Sequence, residues 1–97
     1  MSEYRLKLYV IGQTPRAERA IANLRELCER EFDGRSYEVE VIDILENPQI
    51  AEKEKIIATP MLVMFLPPPM RRVIGDLSDA DKVLAGLGLG PLPPRNS

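Results

Sequence analysis

The run RLKLYVIGQTPRAERAIANLRELCEREFDGRSYEVEVIDIL, residues 5–45, holds a strand, a helix and a second strand in immediate succession. Leu6, Leu8 and Val10 alternate with Arg5, Lys7 and Tyr9 before Ile11, the period-two pattern of a strand entering a core. Thr14-Pro15 then opens a helix. A threonine hydroxyl accepts from an early helical amide, and proline lacks only an N–H that has no intrahelical partner there. Ala17, Ala20, Ile21, Leu24, Leu27, Cys28 and Phe32 recur three and four residues apart, forming one apolar stripe with Arg and Glu on the remaining faces. Asp33-Gly34 supplies the stop, because glycine tolerates the left-handed conformation past a helix end. Tyr37, Val39 and Val41 alternate with Glu38 and Glu40, and Ile42-Asp43-Ile44-Leu45 continues the second strand. The intervening helix is long enough for a parallel crossover, which is right-handed in nearly all known cases.

The second half is less decisive. Asn47-Pro48 repeats the cap-and-proline start and predicts a short helix through about Lys53 or Glu54. Met61–Leu66 is apolar throughout and suits a buried strand, although periodicity alone does not separate it from a buried helical turn. Pro67, Pro68 and Pro69 break any regular element. Arg72-Val73-Ile74 reads as a strand and Gly75-Asp76 as a turn. Ser78 reads as the N-cap of a last helix, with Asp79 and Asp81 near its positive end and Val83, Leu84 and Leu87 as its buried face. Residues 88–97, GLGPLPPRNS, are too rich in Gly and Pro for a stable element, so a single domain over 1–87 with a flexible tail is expected. The resulting order is βαβαββα, that of an α/β thioredoxin-like fold. Thr59-Pro60 stands before the third strand, where such folds place a cis-proline. A trans Pro60 that ends the preceding loop is the other reading.

The bulk numbers remove whole classes of function. Ninety-seven residues fit one small domain. No run of about 18 apolar residues is present to span a membrane. Residues 1–10 lack the apolar core and cleavage site of a signal peptide, so a cytoplasmic location is expected. A net charge of −2 offers no basic footprint for nucleic acid, and Arg71-Arg72 reads as a solvated strand edge. There is no histidine and only one cysteine, which excludes an internal disulfide or CxxC pair and makes a metal site unfavourable. A reactive thiol belongs at a helix N-terminus, yet Gly12–Arg16 contains none, and Cys28 falls deep in the helix on its apolar stripe. Asp43, Glu46, Glu52 and Glu54 form no acid–base pair by spacing and read as solvated charges. No cofactor is expected, and catalysis has no foothold.

Five segments carry a resemblance: LKLYVIGQTP (6–15), VIDILENPQIAE (41–52), KIIATPMLV (55–63), LPPPMRRVIGDLSD (66–79) and KVLAGL (82–87). In this order they closely resemble the KaiB family. The combination of ATP, LPPP and RR-x-IGDLS is far more specific than any short motif alone. The resemblance implies a metamorphic clock or timer protein. Its resting form is a homo-oligomer, tetramer or dimer, with a fold of its own, and its rarer monomer is thioredoxin-like after rearrangement of the C-terminal half. It further implies binding of the rearranged form to the N-terminal ATPase ring of a KaiC-type hexamer, promoting dephosphorylation and the night phase, with KaiA or a clock sensor kinase as further partners. A paralogue in stress adaptation without rhythmicity is the alternative.

Matched by position, Lys55 and Ala58, with Arg19 as a weaker match, fall on the family's KaiC-binding surface. Pro60, Pro67, Pro68 and Pro69 match prolines tied to the fold switch, and Gly86 matches a glycine where the two folds differ, suited to a hinge. Two departures stand out. Glu40 replaces a position often lysine in circadian members, a reversal that weakens KaiA-type contacts. Gly88 replaces an acidic residue after the last helix. Together they suggest a reduced system without KaiA.

Overall fold

The computed structural model describes residues 3–32 and 34–89. Its elements run β1 (Tyr4–Val10), α1 (Pro15–Glu31), β2 (Tyr37–Asp43), α2 (Pro48–Lys53), β3 (Met61–Leu66), β4 (Arg71–Ile74) and α3 (Ala80–Gly86). This is the expected βαβαββα order, with the apolar run Met61–Leu66 settled as strand. The sheet order is β2-β1-β3-β4. The β1–β2 pair is parallel, and β1–β3 and β3–β4 are antiparallel.

Central strands must be covered on both faces, which explains why the pattern in β1 is not cleanly two-sided. One face carries Leu6, Leu8 and Val10, with Leu62 and Met64 of β3. They pack against Ala17, Ala20, Leu24, Leu27, Cys28 and Phe32 of the first helical segment and Val83, Leu84 and Leu87 around α3. The other face buries Tyr9, Ile42, Met61 and Val63 with Ile44, and the partly buried Ile50 and Ala51 of the short α2 and Ile56 just after it pack against them. Met61, Leu62, Val63 and Met64 are therefore all buried, two to each side.

Local chemistry sets most boundaries. The Thr14 hydroxyl accepts from the Ala17 amide at 3.1 Å and Pro15 occupies the first turn, as the sequence predicts. Gly34 has φ +79° beyond the helix end, and Asp33, the other half of the expected stop, lies outside the described residues. Three expectations are corrected. β2 ends at Asp43 rather than Leu45, because the Asp43 carboxylate accepts from the Leu45 amide at 2.9 Å and turns the chain. Asn47 flanks α2 without a side-chain cap; its amide group donates to the Asp43 carbonyl at 3.4 Å. The cap of α3 is Asp79, which accepts from the Lys82 amide at 3.2 Å, whereas the Ser78 amide donates to Asp76 Oδ1 at 3.1 Å.

The domain also reaches further than residue 87. Gly88, at φ +76°, donates to the Ala85 carbonyl at 3.1 Å, and Leu89 donates to the Leu84 carbonyl at 2.8 Å. This paired closure is the Schellman arrangement, in which a left-handed residue lets two terminal carbonyls be satisfied. Leu89 packs on the larger core. The remainder of the expected tail, 90–97, lies outside the described residues.

Candidate partner-binding site

In the βαβαββα fold the expected place for chemistry is where β1 meets α1. There Gly12 takes φ +66° and its amide donates to Asp43 Oδ1 at 2.9 Å. Asp43 is thus half-buried and structural, accepting from two amides, and not the solvated charge the sequence suggested. Pro60 is buried after a cis Thr59–Pro60 bond, and its carbonyl accepts from Gly75 at 2.9 Å. The Leu66–Pro67 and Pro68–Pro69 bonds are also cis. No thiol stands at this end. Cys28 is buried well along α1, and burial, with the Glu29 charge beside it, pushes its thiol up to about 11, the opposite of an activated nucleophile. Among the described residues no group of three or more His, Cys, Asp or Glu is gathered to hold a metal ion.

The residues matched to a partner surface do not form one patch. Lys55 and Ala58 lie in the loop after α2. Lys55 has φ +58°, a left-handed conformation disfavoured for a side chain with a Cβ. The Ile56 amide turns back to the Ala51 carbonyl at 2.8 Å. Ile57, next in line, is 85% exposed, and Ala58 is half-buried. Arg19 lies on α1, in the layer on the opposite sheet face, with Nε 3.6 Å from Asp76 Oδ2.

Sequence reasoning missed Arg72. Its Nη1 donates to the Lys55 carbonyl and its Nη2 to the Glu54 carbonyl, each at 3.1 Å. The expected solvated edge is therefore only half right: the side chain holds the loop. The available signal was period two on β4, which puts Arg72 on the face of Val63, its register partner. Gly86 is also recast. Its φ is not positive, and a Cβ there would lie 2.6 Å from Val73 Cγ2, so in this fold glycine supplies close approach of α3 to β4 and not a left-handed hinge.

A four-stranded mixed sheet in this order, with a buried proline before β3, defines a thioredoxin-like domain, one whose single cysteine lies along α1 and not at the β1–α1 turn. Solved structures agree on the fold. The N-terminal domain of Synechococcus elongatus SasA superposes with a TM-score of 0.74 at 21% identity, covering 97% of this chain and 91% of that one. Mitochondrial thioredoxin 3 from Saccharomyces cerevisiae gives 0.69 at 16% identity, covering 91% and 79%. The KaiB domain family model matches residues 7–89, and the chain belongs to the KaiB family. Over 86 residues it is 58% identical to the circadian clock oscillator protein KaiB of Trichodesmium erythraeum (strain IMS101), spanning 89% of this chain and 82% of the relative. It is 59% identical to the protein of that name from Prochlorococcus marinus (strain MIT 9312), spanning 89% and 81%. These relatives are named as oscillator proteins, not as enzymes. No helix among the described residues is long and apolar enough to cross a membrane.

Proposed function

We propose that this chain is a non-enzymatic clock or timer component of the cytoplasm. In the βαβαββα form it binds the N-terminal ATPase ring of a KaiC-type hexamer and promotes that protein's dephosphorylation. The observation that carries this reading is the 58% identity to clock oscillator KaiB over 89% of the chain, joined to a fold shared with the SasA N-terminal domain. Lys55, exposed on its left-handed loop, is the residue that meets an acidic ring surface, with Ile57 and Ala58 as its apolar neighbours. Arg19, from the other layer, contributes at the margin.

The fold equilibrium, with Pro60, Pro67–Pro69, Gly86 and Gly88 at its pivots, sets how much chain is competent to bind. A resting homo-oligomer with only about 1% in the binding form weakens apparent affinity about 100-fold. Glu40 stands exposed on β2, opposite Lys7 in register. Its negative charge, where circadian members often carry lysine, favours a system without KaiA-type contacts.

Native mass spectrometry of the chain with its cognate KaiC-type ATPase tests this. Rings carrying up to six copies should appear while the free oligomer declines, and Lys55→Glu should suppress them. No complex in either phosphorylation state of the ATPase overturns the reading.

A further inference from the structure

We propose that Arg72 is a positioning residue that ties the shape of the Lys55–Ala58 loop to the pairing of β4 against β3. The proposal rests on the reading of that loop as partner-binding. Arg72 spans two consecutive carbonyls, those of Glu54 and Lys55, with one guanidinium fork. Glu54 closes α2, whose final carbonyls carry the negative end of the helix and lack intrahelical partners. A planar cation with two parallel donors matches such a pair, as a lysine ammonium does not.

The loop has need of such a hold. α2 is six residues long and has no side-chain cap at its start, so it is marginal on its own. At its exit Lys55 must stay left-handed for Ile56 to reach back to the Ala51 carbonyl. The next residue, Ile57, is almost wholly in solvent, so burial contributes little to holding the tip.

The fork reaches α2 only through the sheet. Arg72 pairs with Val63 of β3, and Val63 pairs with Lys7 of β1. Slipping β4 by one residue would send Arg72 to the opposite face. A form of the chain in which β4 is not paired in this register therefore lacks the fork, and its Lys55 loop loses this shape. The same strand that completes the sheet thereby presents the loop, which gives a partner a local means of telling this fold from any other.

Amide hydrogen exchange on the monomeric chain tests the proposal, with the amides of the β1–β2 ladder as internal reference. In Arg72→Gln the Ile56 amide should exchange about tenfold faster, the scale of a lost charge-assisted hydrogen bond, while the reference amides hold. Arg72→Lys, which keeps charge and stem and guards against loss of fold in the Gln variant, should give a smaller acceleration. Ring affinity should fall in the same order. Unchanged Ile56 exchange in both variants overturns the proposal. Faster Ile56 exchange, with no complex formed even by the unaltered chain, upholds the fork and sinks only the ring-binding reading.

Discussion

The Leu89 amide donates to the Leu84 carbonyl at 2.8 Å across a left-handed Gly88. A Cβ at residue 88 would also sit 3.1 Å from the Arg71 guanidinium carbon. Gly88→Ala should therefore cost about 1–2 kcal/mol in this fold, the penalty of placing an L side chain in the left-handed region. Urea unfolding of the monomeric form measures it. An unchanged midpoint would show that α3 can end without this turn.

Tyr9 is fully buried, and its hydroxyl finds no hydrogen-bond partner among the described residues. Desolvation, and after it the charges of Glu54 and Glu40, push its ionisation upward, so it stays neutral and stranded. Removing an unsatisfied buried hydroxyl relieves a desolvation cost of about 1–3 kcal/mol, less whatever packing the oxygen supplies. Tyr9→Phe is expected to raise the stability of this form by about 1 kcal/mol, read as a higher melting temperature. A lower one would mean that the hydroxyl has a partner in solution.

Hydrogen bonds from Ser78, side chain and backbone, hold the Asp76 carboxyl below the ordinary 3.8, with Arg19 and Arg16 adding to them. A lowered native value favours the charged form in the folded state, so its contribution is present above 3.8 and lost as pH falls through the native value. Asp76→Asn should melt earlier than the parent at neutral pH, and the gap should close as acid protonates the carboxyl below its lowered native value. A gap that persists in acid would assign the loss to packing.

For Cys28 the sign is reversed. The thiol is held neutral up to about 11 against an ordinary 9.0, so its contribution to stability is intact below 9.0 and lost as pH rises through about 11. A thiol-specific disulfide reagent should label the native chain slowly at neutral pH and quickly in denaturant. Rapid labelling of native chain at pH 7 would contradict the buried, inert placement.

The first half of the fold was legible because each signal was local and redundant. Thr14-Pro15 both cap and start α1, and the Ala17–Phe32 stripe has one period and one use. In the second half the order of elements was legible too, but the residues that bound and hold them were not, for identifiable reasons. Ser78 and Asp79, like Asp43 at the end of β2 in the first half, are residues that turn or cap, and only three-dimensional register settles their roles: Asp76 captures the Ser78 amide, leaving Asp79 to cap. Arg72 looked like any charged edge residue, because its acceptors lie 17 and 18 residues away on backbone oxygens that no side-chain pattern records. Resemblance named positions but carried no geometry for them. Lys55 gave no sign of its positive φ, and Arg19 proved to lie in the other layer.

Met61–Met64 offers water neither face, since β3 runs between two helical layers. Any second shape this chain adopts inherits the same demand for shelter: four consecutive apolar side chains cannot be left outside in transit. A lone molecule leaving this fold must travel with its most adhesive segment uncovered, whereas one that meets another copy can hand that segment straight to a neighbour. Protein concentration, and not temperature alone, should therefore govern how fast the chain abandons this form.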